Sequence, residues 1–292
     1  MPHELRPKTK DAMHSTEFLD GVRIVTMAQN VPGPLAAARL RQAGARVIKI
    51  EPPTGDPFLA LSPAWHAEMH AGIPIERLDL KAEGGQARLT ALLHDADVFL
   101  TSQRPSALAR IALDPDTLRS RMPRLRVLRI VGSLRDPEHP GHDLTYQARA
   151  GLLGDAMPRT LAADVMASER AFAGALELLR LPPGSMMDVG LVESLDPLLA
   201  SLRHGLTAPG GTLGGGALRY RVYPAKTGRV AVAALERHFE TRLYQALDLA
   251  AGSDPSARFL ERTATEWESW ARARDLPIVA VRDIDWTAGA SS

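Results

Sequence analysis

The chain has 292 residues, of which 45% are hydrophobic and 24% charged, and these proportions are typical of a folded globular protein. Its 35 basic and 34 acidic residues leave a formal net charge of +1, without the basic excess of a nucleic-acid-binding surface. The absence of cysteine excludes disulfides, thiolate zinc sites and a thiol nucleophile. No apolar run approaches the ~18 residues of a membrane helix, and residues 1–16 lack the apolar core of a signal peptide. We therefore expect a cytoplasmic protein that binds neither nucleic acid nor membrane.

The first half of the chain alternates predicted strands and helices. Runs rich in branched residues predict strands at 22–27, 46–51, 97–101 and 125–131. Between them we expect a turn at 32–34 and helices at 35–42, 84–94 and 104–112. This succession predicts an α/β protein with a parallel sheet and helices on its faces.

The second half carries a different pattern. A helix at 171–181 and a short strand at 187–189 are followed by a helix at 191–206. The residues around Lys226-Thr227-Gly228 predict a hairpin, and later segments have helical spacing. The hairpin strands are placed at 219–223 and 230–234, and the later helices at 239–249 and 259–272.

Two polar residues suggest acid–base chemistry. His142 lies in the turn-forming run Pro140-Gly141-His142-Asp143, and Asp164 follows it at the start of an apolar helical segment. Such a pair can give and take a proton, which suits proton abstraction next to a carbonyl. The Asp164 carboxylate could instead act as a nucleophile. A second pair, His66 and His70, has i, i+4 spacing but no carboxylate at a zincin offset, so no metal site is predicted.

Several segments resemble the class III CoA-transferase family, which includes formyl-CoA and carnitine CoA-transferases and α-methylacyl-CoA racemase. The resemblance runs over roughly residues 19–285, and the order of the segments carries it. The matching segments are Leu19-Asp20-Gly21-Val22, Pro32-Gly33-Pro34, Ala43-Gly44-Ala45, Leu78-Asp79-Leu80-Lys81, Arg104-Pro105-Ser106, His142-Asp143, Asp164 with its helix, and the stretch from Gly215 through Tyr223 to Phe239.

The resemblance implies a Rossmann-like large domain at 19–195 and a smaller α+β domain at 196–292, after a polar extension at 1–18. It implies an interlocked homodimer, and the apolar helix at 171–181 is expected to need a second chain to cover it. It also implies that the segment that normally returns to the large domain is truncated. Members act on acyl-CoA thioesters without a tightly bound cofactor, coenzyme A being part of the substrate.

The resemblance also assigns catalytic positions. Asp164 falls on the family's catalytic aspartate, His142 on a histidine typical of the racemase branch, and Glu236 on a glutamate near the racemase centre. We therefore expect a racemase-like 1,1-proton transfer at the α-carbon of a 2-methylacyl-CoA. Asp164 and His142 would be the acid–base pair, Glu236 would orient His142, and backbone N–H groups at 165–168 would hold the enolate oxygen.

Two alternatives remain open. One is a CoA transferase that moves CoA between carboxylic acids through a covalent intermediate on Asp164. The other is a degenerate member that binds without catalysis, which is favoured by Pro52 and Gly72-Ile73-Pro74 in place of basic residues usual in the family. The positions that hold the nucleotide end of CoA in relatives are Val31, Leu78, Lys81 and Arg110, and Arg104 matches a racemase arginine.

Overall fold

The computed structural model describes residues 18–283 and divides the chain into two compact units, the first ending at Pro197 and the second beginning at Leu198. Nearly all of the polar extension predicted at 1–18 lies outside the described residues. None of the helices in the described part has the length and apolar composition needed to cross a membrane.

A six-stranded parallel sheet forms the centre of the first unit, with strand order β3-β2-β1-β4-β5-β6. The strands are β1 (Arg23–Thr26), β2 (Arg46–Glu51), β3 (Ile75–Arg77), β4 (Val98–Thr101), β5 (Arg126–Val131) and β6 (Met186–Gly190). This is the Rossmann order, in which the connections reverse direction between β1 and β4. The predicted α/β class and parallel sheet are confirmed.

Burial explains why these segments pair as they do. Val98, Phe99 and Leu100 in β4 are fully buried, as expected of a central parallel strand that is covered on both faces. Val25 of β1 lies beside Phe99, and both belong to a hydrophobic cluster on one side of the sheet.

Helices cover the sheet. They are α1 (Pro32–Gln42), α2 (Phe58–Leu61), α3 (Pro63–Met69), α4 (Glu83–His94), α5 (Pro105–Arg110), α6 (Pro115–Arg121), α7 (Asp143–Ala150), α8 (Ala162–Arg180) and α9 (Leu191–Ser194), followed by α10 (Asp196–Arg203) at the boundary between the units. The long helix α8 packs against α1, β5 and β6, so its apolar face is buried inside its own chain. Ala171, Ala175 and Leu178 are fully buried there. The expectation that this face needs a second chain to cover it was therefore wrong.

Three predicted boundaries were also wrong. The predicted turn at 32–34 is the first turn of α1, because proline suits the first helical positions. Gly33 is needed there since this turn passes close to Ala28. A side chain on Gly33 would place its Cβ 2.1 Å from the Ala28 Cβ. Helix α8 begins nine residues before the predicted start at 171, and the helix predicted at 191–206 is divided into α9 and α10.

The second unit is a small α+β fold, as expected from the resemblance. An antiparallel sheet in the order β7-β8-β9 packs on helices around Tyr223, Phe259 and Trp267. Its elements are β7 (Tyr220–Pro224), β8 (Arg229–Ala233), α11 (Arg237–Ala246), α12 (Ser256–Phe259), α13 (Ala264–Arg272) and β9 (Ile278–Ala280). The hairpin is confirmed. The helix predicted at 259–272 is interrupted, because Thr263 and Glu266 form a capping box that starts α13.

Candidate active site

A cavity of about 460 Å³ opens at the carboxyl edge of the parallel sheet. Its walls come from the segments that follow β1, β4, β5 and β6, so it lies where the strand order reverses, the usual binding position in open α/β sheets. Its lining includes Asn30, Arg104, Arg110, Gly132, Gly141, His142, Tyr146 and Asp164.

His142 stands at the entrance to α7. Its backbone N–H donates to the Thr145 hydroxyl over 3.1 Å, and that hydroxyl donates to the His142 carbonyl over 2.8 Å. These bonds fix the backbone at the start of the helix, while the imidazole remains exposed and borders the cavity. Gly141 before it has no room for a side chain, since a Cβ there would lie 2.6 Å from the Tyr146 ring.

Asp143 connects α7 to α8 across 20 residues of chain. Its buried carboxylate accepts the backbone N–H of Ala163 over 2.8 Å and that of Asp164 over 3.0 Å through the same oxygen, Oδ1. Leu161, the residue before α8, supplies no side-chain cap. Asp143 therefore performs the capping role for α8 from a distant position in the sequence.

Asp164 is the third residue of α8 and is half-buried at the cavity wall. Burial, and then the nearby negative charge of Asp143, raise the pKa of its carboxyl to about 7. Because its own N–H is capped by Asp143, Asp164 is not the N-cap of α8. A carboxyl that titrates near neutral pH can serve as an acid in one protonation state and as a base in the other.

Tyr146 closes the cavity beside these groups. It is buried, and a Cβ on Gly132 would lie only 2.8 Å from its hydroxyl oxygen, so the strand end and the ring are in close contact. Burial, and then the charge of Asp164, raise the pKa of Tyr146. The phenol therefore stays protonated at neutral pH and can donate a hydrogen bond.

The structure thus brings His142 and Asp164 to one cavity. The predicted use of N–H groups at 165–168 was wrong, because α8 begins at Ala162 and these groups lie within the helix. The Val165 N–H, for example, donates to the Leu161 carbonyl over 2.9 Å. Gln147 on α7 stabilises the segment before Asp164, because its amide donates to Asp143 and to the Thr160 carbonyl.

The residues predicted to hold CoA are distributed unevenly. Arg104 and Arg110 are exposed and line the cavity. Lys81 is exposed and Leu78 half-buried on the connection from β3 to α4, outside the cavity lining, and the Val31 side chain is buried against Phe58 and Met69.

Glu138 is a neighbour of the two arginines that the sequence did not indicate. It accepts the backbone N–H and the hydroxyl of Ser106 over 2.6 and 2.8 Å. These bonds, and then the charges of Arg104 and Arg110, hold its pKa below the usual range. The loop that leads to His142 is therefore attached to the start of α5.

Glu236 belongs to the second unit. It is exposed and occupies the position immediately before α11, without a side-chain cap bond to that helix. Its role in orienting His142 stays a prediction.

A buried cluster of charged and titratable residues lies at the end of β2 and in the segment that follows it. The Lys49 ammonium lies 2.5 Å from Asp56 Oδ2, 3.3 Å from Glu51 Oε1 and 2.8 Å from His70 Nε2. The His70 Nδ1 is 2.7 Å from the His66 carbonyl, which only accepts, so Nδ1 donates and Nε2 accepts from Lys49. Burial, and then the charge of Lys49, lower the pKa of His70, so it is neutral.

The same cluster contains ligand types for a metal ion. Asp56, His66 and His70 each place one ligand atom within 4.8 Å of the others. The Lys49 ammonium already lies against two of them, so it occupies the position that a cation would need. The sequence signalled only the spacing of the two histidines; the lysine and the carboxylates look like ordinary strand and loop residues.

The chain matches the model of CoA-transferase family III over residues 19–289. It is 33% identical over 156 residues to cinnamoyl-CoA:phenyllactate CoA-transferase of Clostridium sporogenes, a match that covers 48% of this chain and 38% of that protein. It is 27% identical over 288 residues to α-methylacyl-CoA racemase of Homo sapiens, covering 85% of this chain and 74% of the racemase.

Among solved structures, the hypothetical protein Rv3272 of Mycobacterium tuberculosis superposes with a TM-score of 0.77 at 22% identity, over 94% of this chain and 87% of that one. This likeness supports the fold. The match to the Clostridium protein spans well under half of that relative's length.

Proposed function

The chain belongs to CoA-transferase family III, and we propose that it acts on acyl-CoA thioesters. We further propose a racemase-like reaction, in which a proton is removed from the α-carbon of a 2-methylacyl-CoA and returned to either face. His142 and Asp164 would be the acid–base pair.

The observation that carries this proposal is the state of Asp164 in a cavity that it shares with His142. Its pKa of about 7 means that both the acid and the carboxylate are present near neutral pH. Histidine is the other side chain that ordinarily changes charge in this range. A carboxyl and an imidazole at one site suit a reaction that needs a base on one face and an acid on the other.

The chemical steps balance with protons alone. For one substrate enantiomer, the Asp164 carboxylate removes the α-proton, the C–H electron pair moves into the enolate of the thioester, and a protonated His142 delivers a proton to the opposite face. For the other enantiomer the roles exchange. Arg104 and Arg110 would bind phosphate groups of CoA at the cavity mouth, since guanidinium groups pair well with phosphate oxygens.

A CoA transferase is the second candidate, and the similarity to the Clostridium CoA-transferase favours it. In that reaction the Asp164 carboxylate attacks the thioester carbonyl and expels the CoA thiolate. The acyl group is then joined to Asp164 as a mixed anhydride. Attack by the thiolate and release of the acid would then leave a CoA thioester on Asp164. This route uses only the ionised carboxylate, whereas the racemase route uses both protonation states of Asp164, and a pKa of about 7 makes both available at neutral pH.

Exchange in D2O tests the proposal. The protein is incubated with several 2-methylacyl-CoA thioesters in D2O, and mass spectrometry follows deuterium at the α-carbon. The racemase reaction predicts deuterium uptake without added carboxylic acid, and no hydroxylamine-sensitive CoA adduct on the peptide that contains Asp164.

The other outcomes are separate. An adduct on that peptide, together with transfer of CoA to an added carboxylate, would replace the racemase by the transferase. Absence of exchange and transfer, with CoA binding retained in calorimetry, would support a non-catalytic member.

A further inference from the structure

Asp143 has an environment that capping alone does not explain. Its side chain is buried between α7 and α8, and Oδ1 accepts the two N–H groups at the start of α8. The second oxygen accepts the Gln147 amide over 2.5 Å, and that amide also donates to the Thr160 carbonyl over 3.1 Å. Three donors and no cation are bonded to this carboxylate among the hydrogen bonds of the described residues, so its negative charge is solvated by the protein but not neutralised.

Several other charged groups on the elements that pack against α8 have partners of their own. On α1, Arg39 pairs with Glu169 of α8. Between β5 and β6, Arg129 pairs with Asp188 at 2.6 Å.

Glu193, on α9, accepts the Ser133 hydroxyl over 2.8 Å. On α7, the charge of Arg149 favours the ionised form of Tyr146 and so opposes the rise in its pKa, and His142 borders the cavity. Among the charged groups of α7, Asp143 is the one whose charge raises the pKa of Asp164.

We propose that Asp143 is a positioning residue for Asp164, and that its unneutralised carboxylate keeps Asp164 available as the proton donor of the site. This inference rests on the proposed function for its catalytic meaning. Its physical part, the effect of one carboxylate on the other, can be measured without any substrate.

Geometry and charge act together in this arrangement. The bonds from Ala163 and Asp164 to Asp143 fix the first turn of α8, and hence the place from which the Asp164 side chain enters the cavity. A like charge close to a carboxyl disfavours its ionised form. Asp143 is one of the two causes that raise the pKa of Asp164, burial being the larger. Replacing Asp143 by a neutral residue should therefore make Asp164 a stronger acid.

Asp143→Asn separates these contributions, because the asparagine oxygen can still accept the two backbone N–H groups while the charge is lost. We expect the carboxyl of Asp164, followed by carbon-13 NMR in labelled protein, to titrate at least ~1 pH unit lower than in the wild type. The control is Glu169→Gln, which removes a carboxylate from the same helix and should leave the Asp164 titration in place.

An unchanged Asp164 titration in Asp143→Asn would overturn the inference. If that variant does not fold, the wild-type spectrum decides. A pKa of about 7 for the Asp164 carboxyl would support the proposal, and titration near the ordinary aspartate value of ~3.9 would contradict it. With active protein, the pH profile of α-proton exchange should move in the same direction as the NMR titration. Failure of the proposed function would abolish the exchange signal but leave the NMR result intact, so the two failures are distinguishable.

Discussion

Lys49 and Asp56 form an ion pair inside the first unit, with 2.5 Å between the ammonium and Oδ2 and both side chains at most 1% exposed. The other oxygen of Asp56 accepts the Asn30 N–H over 3.2 Å, and Asn30 lines the cavity. Asn30 has a φ of 63°, which a residue other than glycine seldom adopts. The buried pair therefore supports the cavity wall after β1.

Lys49→Met should lower the free energy of unfolding by about 3–5 kcal/mol, because it leaves the carboxylate of Asp56 buried without its cation. Chemical denaturation measures the change. The control is Lys81→Met at an exposed position, which should stay within about 0.5 kcal/mol of the wild type. Equal effects of the two substitutions would show that the buried network contributes nothing special.

Asp164→Asn should reduce α-proton exchange of a 2-methylacyl-CoA by at least ~100-fold, the usual contribution of a general acid or base. The amide keeps the size and the backbone N–H of Asp164 but cannot transfer the proton. The measurement is deuterium uptake under single-turnover conditions. Exchange at the wild-type rate would remove Asp164 from the mechanism.

The same variant should change how stability depends on pH. In the unfolded chain an aspartate ionises near pH ~3.9, whereas the pKa of folded Asp164 is about 7. Between these values the folded state holds a proton that the unfolded state has lost, so stability falls as the pH rises through this window. Asp164→Asn removes this loss and should be more stable than the wild type by roughly 2–4 kcal/mol at pH 8, with little difference at pH 4.

Thermal unfolding from pH 4 to 8 measures the effect. Glu177→Gln, an exposed carboxylate on the same helix, serves as the control and should show no such trend. A constant difference between Asp164→Asn and the wild type across this range would contradict a raised pKa.

His142→Ala should distinguish the two reactions. In a two-base racemase it removes the acid or base of one face. The rate of stereoinversion should therefore fall by ~100-fold or more, which corresponds to an activation barrier about 2.7 kcal/mol higher. Chiral analysis of the hydrolysed product gives the rate. In a transferase the same substitution should leave covalent capture at Asp164 largely unchanged.

A homodimer is expected from the resemblance to interlocked relatives. Light scattering at micromolar concentration should report twice the 31.6 kDa of one chain. A monomer would contradict this expectation, and the buried apolar face of α8 shows how the first unit can cover that helix without a second chain.

Local patterns predicted the main strands well. β1, β2, β4 and β5 are apolar runs with clear turn signals, and each was placed to within about one residue of its observed bounds. β3 and β9 have only three residues each, too few to show a periodicity, and they form because neighbouring strands offer free edges. The start of α8 was misplaced because its cap comes from Asp143, a residue with no sequence proximity to Ala162.

The candidate site could be predicted in part. The sequence indicated His142, Asp164 and the two arginines, and the structure brings all four to one cavity. It could not indicate the influence of Asp143 on Asp164, since this depends on burial and on the meeting of two helices. The Lys49 cluster was missed for the same reason, because charged residues in a strand ordinarily face solvent.

The division between the two edges of the parallel sheet has a consequence for laboratory evolution. The cavity walls are built from the segments at the carboxyl ends of the strands. The loops that precede β1, β4 and β5 lie at the opposite edge of the sheet. Selection for a higher melting temperature can therefore act on substitutions in the loops that precede the strands, without altering the reaction. Selection for a new acyl group must act on the residues that follow the strands, and the two sets of substitutions can be combined in one gene because they change separate parts of the fold.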